Sequence, residues 1–420
     1  MRLIRSAFYA GYPILRAMQI RQMDCGPKGT PSGHLVHGRT LKDHLYRENA
    51  APNNDTLYSF AWLDLRNGPV RLQTPSLKDR YHSVALLDLF NDNIAVLGTR
   101  TTKGEGGHFK IVGPASHSEE QAGTTVIESP TNDVWMIVRV LVRGRDDLDQ
   151  ARRAQDGFLI FPSAPMEREL SDETDMAGTM DPERFLDIVN RGLGRSPLPE
   201  KHKRRFARLF EAGLRPGQTG VWPTLSINVQ DQWRTDFRGL LTSLRTGRHG
   251  LIVRNGWAYP RAGIGDFGQD DHYRAQVALF GLGALPREEA IYLVSIHDAD
   301  GHFFNGQNRY NMHIPADVPI SGFWSLSLYE VSSDGRLFFV KNPLNRYAIG
   351  DRAEGIERNQ DGSIDITITQ YSDVAATDAP NLLPAPMGSF RLIFRAYLPG
   401  RALLDGQFAL PPVRREVPPV

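Results

Sequence analysis

The chain has 420 residues, which is enough for two or three domains that each bury a core of their own. Its 49 basic and 48 acidic residues leave a formal net charge of +1, so no overall field favours nucleic acid or an anionic membrane surface. A single cysteine excludes an internal disulfide framework and Cys-rich metal sites. These totals favour a globular protein with no nucleic-acid partner.

The N-terminal segment, residues 1–45, is predicted to form a helix followed by loops. Arg16 and Arg21 interrupt the apolar run that a secretory leader needs, and Pro13 is expected to interrupt the helix and leave only a short amphipathic one. No later stretch reaches about 18 uninterrupted apolar residues, which argues against a transmembrane segment. As written, the sequence predicts a cytoplasmic protein; the alternative is the periplasm or envelope, if a leader was removed.

Residues 46–145 are predicted to form a first β-sandwich, because apolar and polar residues alternate with a period of two from about residue 56 to 143. In "RYHSVALLDLF", Tyr81 and Ser83 share one face of a strand, and His82 and Val84 share the other. Turn-forming residues separate the runs, as in "RNGP" and "GEGG". This pattern is typical of antiparallel strands.

The pattern becomes helical over residues 146–267. One helix is expected to begin with Asp181 as its N-cap and Pro182 at its first position. Residues 268–420 are predicted to form a second β-sandwich domain with a C-terminal tail, beginning with a helix that has Asp270 or Asp271 near its start. The expected fold is therefore mainly β, with two jelly-roll-like or antiparallel β-sandwich domains joined by a helical segment.

Three stretches carry a family resemblance: "APNNDTLYSFAWLDL", "FWSLSLYEV…VKNPLNRYAIGDR" and "NLLPAPMGSFRLIFRAYLPGRALLDGQFALPPV". Together they resemble the bacterial two-domain proteins that combine the domain-of-unknown-function families 1254, N-terminal, and 1214, C-terminal. The resemblance covers most of the chain and is weakest in the helical middle. It implies a jelly-roll-like first domain, helices and a second sandwich, and it implies little about activity. Members often carry an export leader, from which this sequence departs.

A polar cluster before the first long strand is the first candidate site. Because loops at the ends of sandwich strands converge, it could share one rim with the later "FNDN" loop. A carboxylate beside amides and a phenol could orient a substrate, act as a general base or bind a cation, although Asp and Asn also cap turns in β proteins. The residues concerned are Asn53, Asn54, Asp55, Tyr58, Asn91 and Asn93.

The tripeptide Asn-Arg-Tyr occurs twice, at 308–310 and 345–347. An arginine between an amide and a phenol could clamp a carboxylate or a sugar, or it could equally satisfy loop carbonyls between strands. Tryptophans on β faces could line the same cavity, although core packing is the first expectation for them. This interpretation assigns substrate binding to Asn308, Arg309, Tyr310, Arg346, Trp62 and Trp324.

The stretch "SIHDADGHFF" contains weak candidates for metal ligands, namely His297, Asp298, Asp300 and His302. A turn at Asp300–Gly301 explains the same residues without metal and is the favoured interpretation. No phosphate-binding loop or dinucleotide fingerprint is found, so no cofactor is expected, with a divalent metal not favoured.

Two hypotheses for function follow. The first is an enzyme that acts on a small, partly apolar molecule in or between the sandwiches by hydrolysis or by acid/base elimination or isomerisation, with Asp55 and Tyr58 as catalytic residues. The alternative is a non-catalytic protein that binds a carbohydrate or hydrophobic ligand, or that serves in assembly. The expected partners are a small-molecule ligand and further copies of the chain in a homo-oligomer.

Overall fold

The computed structural model describes residues 2–114, 116, 122–164, 180–247, 251–353, 355–370 and 380–416. The helices are α1 (Arg2–Cys25), α2 (Leu148–Asp156), α3 (Pro182–Leu193), α4 (Glu200–Leu209), α5 (Ile227–Thr246), α6 (Asp271–Phe280) and α7 (Arg401–Leu404). The strands before α3 are β1 (Val36–His37), β2 (Thr56–Asp64), β3 (Val70–Thr74), β4 (His82–Leu87), β5 (Asn93–Gly98), β6 (Gly107–Val112), β7 (Thr124–Glu128), β8 (Asp133–Leu141) and β9 (Leu159–Pro162). The later strands are β10 (Ile252–Arg254), β11 (Trp257–Tyr259), β12 (Ala290–Ser295), β13 (Tyr310–Ile314), β14 (Ile320–Val331), β15 (Leu337–Phe338), β16 (Ala348–Gly350), β17 (Ile364–Gln370), β18 (Leu382–Ala385), β19 (Phe390–Pro399) and β20 (Arg414–Arg415).

The first sandwich packs a sheet of order β1-β2-β8-β4-β5 against a sheet of order β7-β6-β3-β9. Its core contains Leu57, Val84 and Val138 from the first sheet and Leu72 and Ile111 from the second. Strands β4 and β8 are buried along their whole length. The reason is that their second face is covered as well, by the helices and by the second sandwich.

The second sandwich packs a sheet of order β10-β11-β12-β19-β14-β15, with β16 on β14, against a sheet of order β18-β17-β13-β20. Its core contains Leu293, Leu326 and Phe394 on one side and Met312 and Ile366 on the other. Two mainly β sandwiches with helices between them were predicted, and this architecture is confirmed. Residues 417–420 of the expected C-terminal tail lie outside the described residues, while Arg414–Arg415 pair with β13.

Helix α1 lies at the centre of the helical part, against α3, α5 and α6. It runs through Pro13 without a break, so the expected interruption is wrong. Tertiary packing outweighs the local cost of the proline, since most of the helix is buried and Phe8 stacks on Phe185 at 5.5 Å between ring centroids. The predicted cap of α3 is confirmed, because the Asp181 side chain accepts from the backbone N–H of Arg184 at 2.9 Å.

None of the helices in the described ranges has the 18-residue apolar window that crossing a bilayer requires.

Candidate functional site

The inner sheets of the two sandwiches carry the same three residue types side by side. In the first sandwich the central strand β8 places Arg139 between Tyr58 on β2 and Ser83 on β4. In the second, the central strand β19 places Arg395 between Tyr292 on β12 and Ser325 on β14. Because side chains alternate along a strand, each Tyr-Arg-Ser row points away from the apolar core of its own sandwich.

These two outward faces meet each other. The Asn53 amide donates to the Tyr397 hydroxyl at 2.7 Å, and the Ser325 hydroxyl donates to an Asp55 carboxylate oxygen at 2.7 Å. The hydroxyls of Tyr292 and Tyr397 are 3.1 Å apart. We name this set the interdomain cluster and define it as Asn53, Asp55, Tyr58, Arg139, Tyr292, Ser325, Arg395 and Tyr397. The loop before β2 therefore crosses from the first sandwich onto the sheet of the second.

The two arginines of the cluster are both buried but are satisfied differently. Arg395 donates to the Ser327 hydroxyl at 2.8 Å and to the carbonyl oxygens of Ala51 and Pro52 at 3.1 and 3.4 Å. Arg139 donates from Nη2 to the carbonyl of Gly283 at 3.0 Å, and its guanidinium lies 5.2 Å from the centre of the Tyr58 ring. Its Nε and Nη1 are enclosed and have no acceptor within hydrogen-bond distance among the described residues, as is also true of the Arg395 Nε, although the Tyr58 phenol interacts electrostatically with the Arg139 guanidinium.

Three aromatic side chains on the facing sheets keep part of their surface exposed. Tyr292 lies in mid-strand on β12 yet has 37% of its surface exposed, while Tyr397 and Arg395 on the neighbouring strand are buried. Tyr58, whose phenol acts on that of Tyr292, and Phe60 are only half-buried. We interpret these exposures as a recess between the sandwiches, with Tyr292 on one wall and Tyr58 on the other.

An aromatic strip leads away from Arg139 along the first wall. Tyr58 stacks on Phe60 at 5.7 Å, Phe60 on Trp135 at 6.1 Å, and Trp135 on Trp62 at 5.8 Å between centroids. The indole N–H of Trp135 has no acceptor among the described residues. Trp135 and Trp62 are buried, so the half-buried rings of Tyr58 and Phe60 are the part of the strip that offers an apolar surface next to a guanidinium, a combination suited to a partly apolar anion.

The segment after α6 closes the recess beside Arg139. Gly283 has a φ of +77°, and a Cβ there would lie 2.6 Å from Cδ1 of Ile137 and 3.1 Å from the Trp135 ring. Only glycine fits this close approach, which brings its carbonyl to Arg139. Asn93 holds the segment, since its amide nitrogen donates to the carbonyls of Gly265 and Ala284 at 3.0 and 2.9 Å.

The electrostatics of the cluster favour negative charge in the recess. Burial raises the pKa of Asp55, against the lowering effects of Arg395, Ser325 and Arg352. Burial also raises the pKa of Tyr292 and of Tyr397, so both phenols keep their protons near neutral pH. Arg395 and Arg352 therefore favour the ionised form of Asp55, which burial opposes, while the charge of Arg139 acts on the buried carboxylate of Glu289, which pairs with Arg100.

The structure brings three of the sequence-predicted residues into the cluster, namely Asn53, Asp55 and Tyr58. Trp62 forms the end of the aromatic strip, and its indole donates to Asp24 at 3.1 Å. Asn54 instead donates to the carbonyl of Lys42 at 2.5 Å, outside the cluster.

The "FNDN" loop does not share a rim with residues 53–58. Asn91 donates to the carbonyl of Pro13 at 3.1 Å and thereby fixes α1. Asn93 donates to the carbonyls of Gly265 and Ala284, as described above, and so holds the segment that contains Gly283. Both amides therefore donate to backbone carbonyl oxygens.

The second predicted group lies away from the recess, on the far side of the core of the second sandwich. Tyr310 is buried on β13 between Phe304 and Phe390, and Trp324 faces the core, where it stacks on Phe394 at 5.3 Å. Asn308 donates to the Tyr310 hydroxyl at 3.3 Å, and Arg309 pairs with Glu416 at 2.8 Å. Arg346 donates to the carbonyls of Pro380 and Leu382 at 2.8 and 3.0 Å, the loop-satisfying role that was the alternative to a clamp.

The weak metal candidates form a turn. One Asp298 carboxylate oxygen accepts from the backbone N–H groups of Asp300 and His302 at 3.0 and 2.9 Å, and Gly301 takes a φ of +85°. Potential ligand atoms of these three side chains lie within 4.8 Å of one another, but Asp300 and His302 are exposed. His297 forms a β-bridge with Phe303 and is not part of that group.

Sequence reasoning did not select Arg139, Tyr292, Arg395 or Tyr397. The first signal was the charge in "VWMIVRVLV", where Arg139 stands alone in a strand that is otherwise apolar on both faces. Arg395 in "FRLIFRAY" shows the same pattern. A charge at the centre of such a strand must be satisfied from outside its own sheet.

The fold defines a protein of two β-sandwich domains with helices between them, and the comparisons agree with this two-domain architecture. The family described as "Protein of unknown function (DUF1254)" matches residues 32–162, and "Protein of unknown function (DUF1214)" matches residues 289–401. The chain therefore joins an N-terminal DUF1254 domain to a C-terminal DUF1214 domain, as the resemblance indicated. No curated protein matches the chain.

Two solved structures match the chain over most of its length. A crystal structure of the VPA0106 protein from Vibrio parahaemolyticus superposes with a TM-score of 0.76 at 22% identity and covers 99% of each chain. A putative uncharacterized protein from Burkholderia cenocepacia has a TM-score of 0.45 at 13% identity, covering 97% of this chain and 87% of that one. The first likeness shows a shared fold across both domains.

Proposed function

We propose that the chain is an enzyme that acts on a small, partly apolar organic anion held in the interdomain recess. The observation that carries the proposal is the buried guanidinium of Arg139, which forms no salt bridge with a carboxylate of the described residues and donates to one backbone carbonyl. The charge of Arg139 acts on the buried Glu289 carboxylate, but that group already pairs with Arg100 and accepts from Tyr81. A buried charge is normally paired, because its removal from water costs several kcal/mol. An anionic ligand between Tyr58 and Tyr292 would supply the missing counter-charge.

Asp55 is the proposed acid/base group. Its carboxylate lies at the same interface, accepts from Ser325 at 2.7 Å, and has a pKa raised by burial. Raising the pKa of a carboxyl group makes its carboxylate a stronger proton acceptor, which is what a general base needs, and the protonated form can return the proton. The positive field of Arg139 and Arg395 favours negative charge that develops on a substrate oxygen. Hydrolysis, elimination and isomerisation each need these two functions.

The test screens small organic acids and their esters for turnover by NMR, followed by the variant Asp55→Asn. This change keeps an acceptor for Ser325 but removes the titrating group, so we expect a rate loss of about a hundredfold or more with an unchanged melting temperature. Asp351→Asn is the matched control, because burial also raises the pKa of Asp351 while its carboxylate serves the backbone N–H of Trp324 outside the cluster. Equal losses in both variants would contradict the assignment.

The same screen distinguishes an enzyme from the alternative, a protein that binds a ligand without turning it over. If a ligand raises the melting temperature of the wild type and of Asp55→Asn alike and no product forms, the chain is a non-catalytic binding protein.

Self-association belongs to the same proposal. Strand β10 is an edge strand, and Ile252 and Val253 on it are exposed by 48% and 58%. Exposed apolar edges favour pairing with another copy. Sedimentation of the wild type against Val253→Lys tests it, with a shift to a smaller species expected in the variant.

A further inference from the structure

We infer that Tyr292 is the ligand-facing donor of a directed hydrogen-bond chain, and that the anion it serves is an oxo acid, with a carbonyl oxygen beside its carboxylate. This inference rests on the anion site proposed above and names the class of its ligand. Tyr292 was not among the residues expected from the sequence.

The direction of the chain begins at Asn53. Its side-chain oxygen accepts from the backbone N–H of Asp55 at 2.6 Å, which fixes the orientation of the amide. The amide nitrogen therefore points at Tyr397 and donates to the phenol oxygen at 2.7 Å. Tyr397 is an acceptor in this contact.

The hydroxyl hydrogen of Tyr397 then has one available acceptor. Tyr397 is fully buried, and Tyr292 at 3.1 Å is the second hydrogen-bond partner of its hydroxyl among the described residues, whereas Tyr58, Asp55 and Arg395 act on it without a hydrogen bond. If Tyr292 donated to Tyr397, the hydroxyl hydrogen of Tyr397 would be buried without an acceptor, which costs free energy. Tyr397 therefore donates to Tyr292.

Tyr292 is left with a hydroxyl hydrogen that no described residue accepts, and Tyr292 is the residue of the chain with the largest exposed surface, although burial raises the pKa of its phenol. Its donor accordingly faces the recess. Donation received from Tyr397 polarises the phenol and strengthens its own bond to a ligand oxygen. This is the arrangement of an oxyanion-stabilising donor.

The residues around Tyr292 indicate which other chemical groups the ligand carries. Arg395 lies 5.2 Å from the centre of the Tyr292 ring, and the charge of Arg139 acts on the Tyr292 phenol. A ligand carboxylate would pair with Arg139, and a ligand carbonyl oxygen would accept from the Tyr292 hydroxyl. An apolar group of the ligand would pack against the half-buried ring of Phe60. A small aromatic or branched oxo acid combines all three.

The test uses three probes of matched shape: benzoylformate, phenylacetate, which replaces the carbonyl by methylene, and acetophenone, which lacks the carboxylate. Binding is measured by calorimetry and by quenching of tryptophan fluorescence. The wild type should bind benzoylformate about tenfold more tightly than phenylacetate, because a site built to donate to an oxygen penalises its absence. In Tyr292→Phe this ratio should fall to about one, with phenylacetate unaffected. Acetophenone should bind neither protein detectably.

Tyr329→Phe is the matched control, since that phenol lies on the same sheet but donates to the carbonyl of Pro52 at 2.7 Å. It should keep the ratio of the wild type, and thermal melts of both variants check that each is folded. If phenylacetate binds and needs Arg139, but Tyr292→Phe leaves the ratio unchanged, the inference is overturned and the anion site stands. If acetophenone binds as well as benzoylformate, the oxo-acid class is wrong. If neither acid binds the wild type, both proposals are refuted.

Discussion

Exchanging each of the two buried arginines for methionine tests whether Arg139 is kept for function. Methionine has a similar length and no charge, so both variants keep most of the apolar contact of the side chain. The prediction is that Arg395→Met destabilises the protein and Arg139→Met does not.

The magnitudes follow from the partners. Arg395→Met removes bonds to Ser327 and to the carbonyls of Ala51 and Pro52, at about 1 kcal/mol or more each, so we expect a loss of about 2–4 kcal/mol. Arg139→Met removes one bond to Gly283 and a contact with the Tyr58 ring, together about 2 kcal/mol. It also removes an uncompensated buried charge, which costs several kcal/mol. The expected net change for Arg139→Met is therefore between zero and about 2 kcal/mol of added stability.

The assay is urea unfolding of wild type and both variants, with the midpoint and the slope of the transition compared. Benzoylformate added to each sample should raise the midpoint of the wild type and leave that of Arg139→Met unchanged. If Arg139→Met loses as much stability as Arg395→Met, then Arg139 is a structural residue. That result would also refute the proposed anion site beside Arg139.

Three further results are expected. Gly283→Ala should lose about 2–3 kcal/mol in urea unfolding, because of its positive φ and the clash with Ile137, while Gly388→Ala, which has open space at its Cβ, should not. Burial, with a neighbouring aspartate charge, raises the pKa of Asp88 from 3.8 to about 7, so the folded state holds a proton that the unfolded state releases. The free energy of unfolding should then fall by up to about 1.4 kcal/mol per pH unit from pH 4 to 7, and Asp88→Asn should flatten this slope. Because Asp298 already binds two backbone N–H groups, chelation with EDTA should leave the melting temperature unchanged; a drop reversed by Mn²⁺ would contradict the turn interpretation.

Local sequence pattern predicted the elements of this fold well. Strands with alternating residues, such as β17 with Ile364, Ile366 and Ile368 facing inward, are present with the expected face buried. The cap at Asp181 was also predictable from the sequence, since a short polar side chain before Pro182 has one favoured role. The continuity of α1 through Pro13 was not predictable, because it depends on burial against α3, α5 and α6.

The site was only partly predictable, for a physical reason. Asn53, Asp55 and Tyr58 stood out because they are polar and adjacent in sequence. Tyr292 and Tyr397 come from two strands of the other domain and meet the first group only through docking of the two sandwiches. Alternation along a strand tells which residues share a face, but it does not tell which of the two faces meets another domain.

The partners of the other buried arginines indicate whether Arg139 has a functional or a structural role. Arg21 pairs with Asp133 at 3.0 Å, Arg274 with Asp92 at 3.1 Å, and Arg80 with Asp147 at 2.5 Å. Arg395 donates to a hydroxyl and two carbonyls, although its Nε has no acceptor among the described residues. The other buried guanidinium groups thus have either a carboxylate partner or three acceptor contacts, whereas Arg139 donates to one backbone carbonyl and forms no salt bridge within the described residues. A departure of this kind reduces stability, and under the proposed function a counter-ion that arrives as a ligand would offset that cost.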